Sequence, residues 1–157
     1  AHGYREESLK LAERVLDWYR ERPEEIDRAA WAYVRALSVA ERWEEARDAA
    51  AQLVRDRPQF PQNFVLLGVL EARIGNAEAA QRIVEELLAW EGRGGRSDAT
   101  YCQACIAAQL GDLDEAVRLL RRAFSEGRRY SIAMHCDINL EPLWDYPPFQ
   151  ELIRPKG

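Results

Sequence analysis

Apolar residues recur along this chain at intervals of three and four, and no stretch alternates at two, so the pattern predicts helices throughout and no sheet. Residues 6–22 place Leu9, Ala12, Leu16 and Tyr19 on one stripe and Leu11, Val15 and Trp18 on a second, an unusually wide apolar face. Pro23 closes that helix. A second helix is expected over 26–40 through Ala30, Tyr33, Val34 and Leu37, and a third over 43–56 through Trp43, Ala46, Ala50, Leu53 and Val54. Beyond Pro58 and Pro61, a fourth over 62–74 packs through Phe64, Leu67, Gly68 and Leu70, with side-chain-free Gly68 admitting a close neighbour. A fifth over 76–90 uses Ala80, Val84, Leu87 and Leu88. Residues 92–97 read as a flexible loop whose Ser97, or Asp98 after it, caps a sixth helix to Leu110. Gly111 with Asp112 then stops that helix and caps a seventh to Glu126, with Ala116, Leu119, Leu120 and Ala123 on one face.

Alanine gives the register. Ala12, Ala46, Ala80 and Ala116 stand 34, 34 and 36 residues apart, each early in a helix that follows a turn, which is the signature of a repeat array. Past Gly127 the pattern breaks, and Asp137, Asn139, Pro142, Pro147 and Pro148 separate short apolar clusters. Short helices near 130–134, 139–144 and 147–153 are expected to lay Met134, Leu140, Leu143, Trp144, Phe149 and Leu152 over the last repeat, because an array's end otherwise exposes an apolar face. The chain therefore reads as an array over 1–127 and a cap of the same domain over 128–157.

Composition narrows the partner classes. The 157 residues are 47% hydrophobic and 31% charged, and 22 basic against 27 acidic residues give a net charge of −5, which argues against nucleic acid as the main partner. The longest apolar run, 64–70, is far short of the roughly 20 residues that span a bilayer, so no membrane segment is expected. The N-terminal AHGYREESLK has neither an initiator Met nor a signal peptide's apolar core, and the chain is expected to be a piece excised from a longer protein. Three cysteines make no disulfide framework and suit a reducing compartment, the cytoplasm.

Aligned on Ala46, Ala80 and Ala116, the helix pairs resemble the tetratricopeptide repeat. The third full repeat matches through Ala104, Gly111, Ala116 and Ala123, the second through Phe64, Leu67, Gly68, Gly75 and Ala80, and the first through Ala46 and Pro58. Ala12 makes the opening helix resemble the second half of a further repeat. Ala30 and Thr100 replace the usual aromatic, Glu41 the turn glycine, and Gly92 and Arg128 the usual proline. The closing LEPLWDYPPFQELI is similar to the end of tetratricopeptide arrays found at the C-terminus of bacterial kinases and transcriptional regulators, through Pro142, Leu143, Asp145, Pro147 or Pro148, Phe149 and Leu152. The resemblance implies an all-α, right-handed superhelix of antiparallel helix pairs, about three and a half repeats with short capping helices.

It also implies a noncatalytic protein-protein interaction module, with a concave groove for a peptide or protein segment on the inner faces of the first helices. That face would present Arg28, Trp31, Arg35 and Ser38, then Gln62, Val65, Val69 and Arg73, then Asp98, Tyr101, Cys102, Cys105 and Gln109. Trp31 and Tyr101 would supply amphipathic contact area, and Arg35 with Arg73 paired donors for a carboxylate. The lysine and asparagine set with which chaperone-binding members hold a terminal carboxylate is not matched, so that ligand is not expected.

A rival reading is a regulatory or self-association domain of a larger signalling protein. It draws on Leu11, Val15 and Trp18, which stand where later second helices carry Glu45, Ala49 and Gln52, and which a preceding helix, a homodimer partner or a reorientation of the first helix itself would cover. A third reading, from a different class, is a metal or enzymatic site of Cys102, Cys105, His135 and Cys136, numerically a zinc set. Against it, helical cysteines usually pack as small apolar residues. Residues adjacent in sequence, like His135 and Cys136, make no dyad by themselves, and no phosphate or dinucleotide motif occurs, so neither catalysis nor a cofactor is expected. Arg118, Arg121, Arg122, Arg128 and Arg129 read as an exposed face near a helix C-terminus.

Overall fold

The computed structural model describes residues 4–89 and 96–154. They form helices α1 (Arg5–Glu21), α2 (Glu24–Arg28), α3 (Ala30–Val39), α4 (Trp43–Asp56), α5 (Pro61–Arg73), α6 (Ala77–Ala89), α7 (Arg96–Gln109), α8 (Leu113–Ser125) and α9 (Pro147–Ile153), with 3-10 segments at Ile132–His135 and Ile138–Leu143. No strand occurs among the described residues. The helices pack in sequential antiparallel pairs, α3 with α4, α5 with α6 and α7 with α8, while α1 lies against α3 and α5 against α7.

One backbone turn serves all three pairs. Glu41, Gly75 and Gly111 take φ of 59°, 87° and 86°. In each case the next N–H reaches back five residues, from Arg42 to Leu37 O at 3.0 Å, Asn76 to Glu71 O at 2.8 Å and Asp112 to Ala107 O at 2.9 Å. This left-handed cap satisfies the carbonyls that a helix end leaves open. At Asp112 the side chain also accepts from Glu115 N, the expected N-cap. Ala46, Ala80 and Ala116 follow these turns, and all are fully buried at the helix crossings, where a larger side chain would hold the helices apart. A Cβ on Gly68 would stand 3.0 Å from both Ile83 and Ile106, so α5 there meets α6 and α7 at contact distance.

Two apolar clusters form the core. One joins Leu16 of α1 to Val34 and Leu37 of α3, Ala46 and Ala50 of α4, and Leu66 and Leu70 of α5. The other runs from α5 through α8 and takes in Met134, Leu140, Leu143, Phe149 and Ile153 from beyond α8, so the tail closes the end of the stack as expected.

The second predicted helix differs: Ala29, at φ −122° and ψ 33°, divides it into α2 and α3. Arg57, just past α4, donates to the Asp27 carbonyl at this break, a long-range bond that supplies a partner where the helical ladder stops. At α7 the helix begins at Arg96, so Ser97 and Asp98 lie within its first turn rather than ahead of it. The rest of the predicted loop, 92–95, lies outside the described residues, as does Trp90.

Candidate functional site

The first helices α3, α5 and α7, with Arg28 at the end of α2, carry the predicted groove residues, and the structure treats the two ends of that face differently. At α7 the chain covers it with its own tail. Tyr101 is buried and donates from Oη to Asp137 Oδ2 at 2.7 Å. The Arg128 guanidinium lies 3.7 Å from the Tyr101 ring centre and also pairs with Asp98. Gln109 Nε2 donates to the Asn139 carbonyl at 2.9 Å. Arg73 of α5 pairs with Glu141 while stacking 4.1 Å over Trp43. Between these polar contacts Leu140 and Leu143 are fully buried, so 137–143 is sealed in place by apolar burial and oriented by hydrogen bonds.

At α3 the same face is open. Trp31 is 50% exposed, and the Arg35 guanidinium lies 5.3 Å from its ring centre. Arg35 is half-buried and has no carboxylate partner among the described residues. It lines a narrow cleft with Ser38, Val69 and Arg73, against Ile138 and Asn139 of the tail. α3 and α5 share an apolar cluster through Val34 and Leu37 on one and Leu66 and Leu70 on the other. Val65 is half-buried and Gln62 exposed. Arg28 is exposed and pairs with Glu25 of its own helix at 3.3 Å.

Several predicted groove residues are therefore not accessible to a ligand. Val69 lies in the apolar cluster that α5 shares with α7, and Ser38 is buried with its hydroxyl donated to Val34 O at 2.8 Å. Tyr101, Cys102 and Cys105 are buried in the same cluster as Val69, and Asp98, Gln109 and Arg73 are engaged by Arg128, Asn139 and Glu141. Arg28, Trp31, Arg35, Gln62 and part of Val65 remain, together with the exposed edge of Asp98 at the covered end. The sequence reading missed Asp137, Asn139 and Glu141 as occupants of the face. It took the first two as breaks, whereas Asp137 caps a 3-10 turn by accepting from Asn139 N, and Leu140 and Leu143, three residues apart, are the side chains that turn buries.

Cys102 and Cys105 are core residues. Burial pushes the Cys102 thiol up to about 12, and burial, with the charges of Asp137 and Cys102, raises Cys105 as well. Burial also raises Tyr101, with smaller contributions from Cys105 and Asp137. Such thiols stay protonated and unreactive at neutral pH. His135 and Cys136 are exposed, and His135 Nε2 stands 2.5 Å from the Tyr130 hydroxyl. Among the described residues no group of three or more His, Cys, Asp or Glu is placed to hold a metal ion. No described helix is long and apolar enough to cross a membrane. The arginines near the end of α8 divide into separate ion pairs, Arg118 with Glu115 at 2.5 Å, Arg122 with Glu126 at 2.8 Å and Arg128 with Asp98.

On α1, Ala12, Leu16 and Tyr19 are buried, whereas Leu11, Val15 and Trp18 remain 57%, 43% and 43% exposed. With Arg14 and Tyr19 they line a shallow apolar depression, and Arg22 stacks 5.1 Å from the Trp18 ring centre.

Comparison with protein-family models, curated proteins and solved structures finds no match to this chain.

Proposed function

We propose that the chain is a noncatalytic protein-interaction module of the tetratricopeptide kind, a right-handed stack of helix pairs that binds a peptide or protein segment on the open end of its inner face. The recurring turn and the fully buried Ala46, Ala80 and Ala116 support the repeat architecture. The observation that carries the function is the half-exposed Trp31 beneath Arg35, next to a stretch of the same face already holding a short 3-10 segment of this chain. A large ring left half in water offers contact area at little entropic cost, the usual property of a binding hot spot. Peptides selected from a random-peptide phage library on the full chain should lose most of their affinity for Trp31→Ala while its melting temperature is unchanged. Equal affinity for both proteins would remove this reading.

A second reading follows from α1. The exposed Leu11, Val15 and Trp18 support self-association, which would suit a regulatory domain of a larger signalling protein. Light scattering across a concentration series should then show a dimer that Leu11→Glu dissociates. A monomer at every concentration sinks it.

A further inference from the structure

We propose that the open end of the inner face takes an acidic peptide, with a carboxylate on Arg35 and a neighbouring apolar side chain on Trp31. This rests on the reading of the inner face as the binding surface and adds the chemistry of the partner. Within α3 and α5 the solvent-accessible charge is basic, and acids on either side, Glu25 of α2 and Asp98 of α7, are paired with Arg28 and Arg128. α3 contains no acidic residue, and the one acid in α5, Glu71, is buried and accepts from Asn76 Nδ2 at 2.8 Å. Arg73 and Arg128, at the covered end, each hold a carboxylate, whereas Arg35 stacks on Trp31 without one among the described residues. A half-buried guanidinium is screened less by water than a fully exposed one and gains more from a carboxylate that reaches it.

The tail shows which chemistry the face accepts. Asp137 meets Tyr101 and Glu141 meets Arg73, while Ile138 and Asn139 stand in the cleft beside Arg35. An incoming segment would continue from that cleft along α3 toward Trp31, one turn before Arg35. The tail itself is not the displaceable ligand, because Leu140, Leu143 and Phe149 are fully buried and its release would expose the core.

The test is a phage-displayed random-peptide selection carried out in parallel on the wild-type full chain and on Arg35→Glu, followed by fluorescence anisotropy with the enriched synthetic peptides. The wild type should enrich peptides rich in Asp and Glu beside an apolar residue. Their affinity should fall at least about tenfold with Arg35→Glu, as expected for loss of a charge-assisted pair, and should weaken as salt is raised. Arg118→Glu, far from the face, should leave it unchanged. Enriched peptides that need Trp31 but are neutral or basic would overturn the acidic assignment and leave the groove reading intact. If no peptide is enriched, or if binding ignores both Trp31 and Arg35, both readings fall.

Discussion

At α7 the inner face is complete: its tyrosine, its arginine partner and its glutamine all bind residues from beyond α8, and two leucines seal the contact. At α3, by contrast, a half-exposed tryptophan stacks with a half-buried arginine that has no carboxylate partner among the described residues. Both ends carry an aromatic ring with a guanidinium over it, so the difference lies in what covers the pair. Where the chain supplies a segment, the aromatic is core and contributes to stability; where it supplies none, the aromatic stays half-exposed, which is the basis of the binding proposal.

The comparison is broken most directly by large-to-small substitutions at each end. Phe149→Ala, in the fully buried cap, should cost about 3–5 kcal/mol in urea denaturation, whereas Trp31→Ala should stay within about 0.5 kcal/mol. Similar losses at both positions would mean that α3 is covered too. Next in size, Ala116→Leu should cost about 1–3 kcal/mol by overpacking the crossing of α7 and α8. Ala46→Leu should cost a similar amount if the helix pairs are truly equivalent. A neutral thermal melt for either would show that the repeat register is misplaced.

Alkali should act on the covered end first. Cys102 ionises near 9.0 in an unfolded chain and near 12 when buried, so the folded state keeps the proton longer. The associated stability is complete below about pH 9 and falls as pH rises toward 12, by about 1 kcal/mol around pH 10. Cys102→Ala should flatten that slope; an unchanged slope would place Cys102 in contact with water. The smallest effect is a gain. Glu41 occupies a left-handed conformation that glycine holds at Gly75 and Gly111, and Glu41→Gly should raise stability by about 0.5–1 kcal/mol, net of its exposed pairing with Arg5. A loss of stability would show that the Arg5 contact outweighs the relief of backbone strain.

The helix spans were legible because their apolar spacing, Pro23, Gly75, Gly111 and Asp112 are local signals that agree with tertiary packing. The unused stripe on α1 was legible for the same reason: Leu11, Val15 and Trp18 exceed what one neighbour can cover. The break at Ala29 was not, because the bond from Arg57 to Asp27 joins residues 30 apart in sequence. Leu140 and Leu143 were expected over the last repeat, but periodicity could not say that Asp137 and Asn139 would reach Tyr101 and Gln109 on α7. Face assignments from a helical repeat assume that the inner side is free, and here Tyr101 and Cys105 are buried by a segment more than 30 residues downstream. Val69 failed differently, since its neighbours on α5 decide whether it faces the cleft or the seam with α7.

Hydrogen exchange of the full chain, with and without a phage-selected acidic peptide, tests the central claim most directly. Binding should slow exchange in 28–36 and around 62–66, and leave α1 and 137–143 as they were. Protection on α1, or faster exchange in 137–143 as the tail is displaced, would contradict the account.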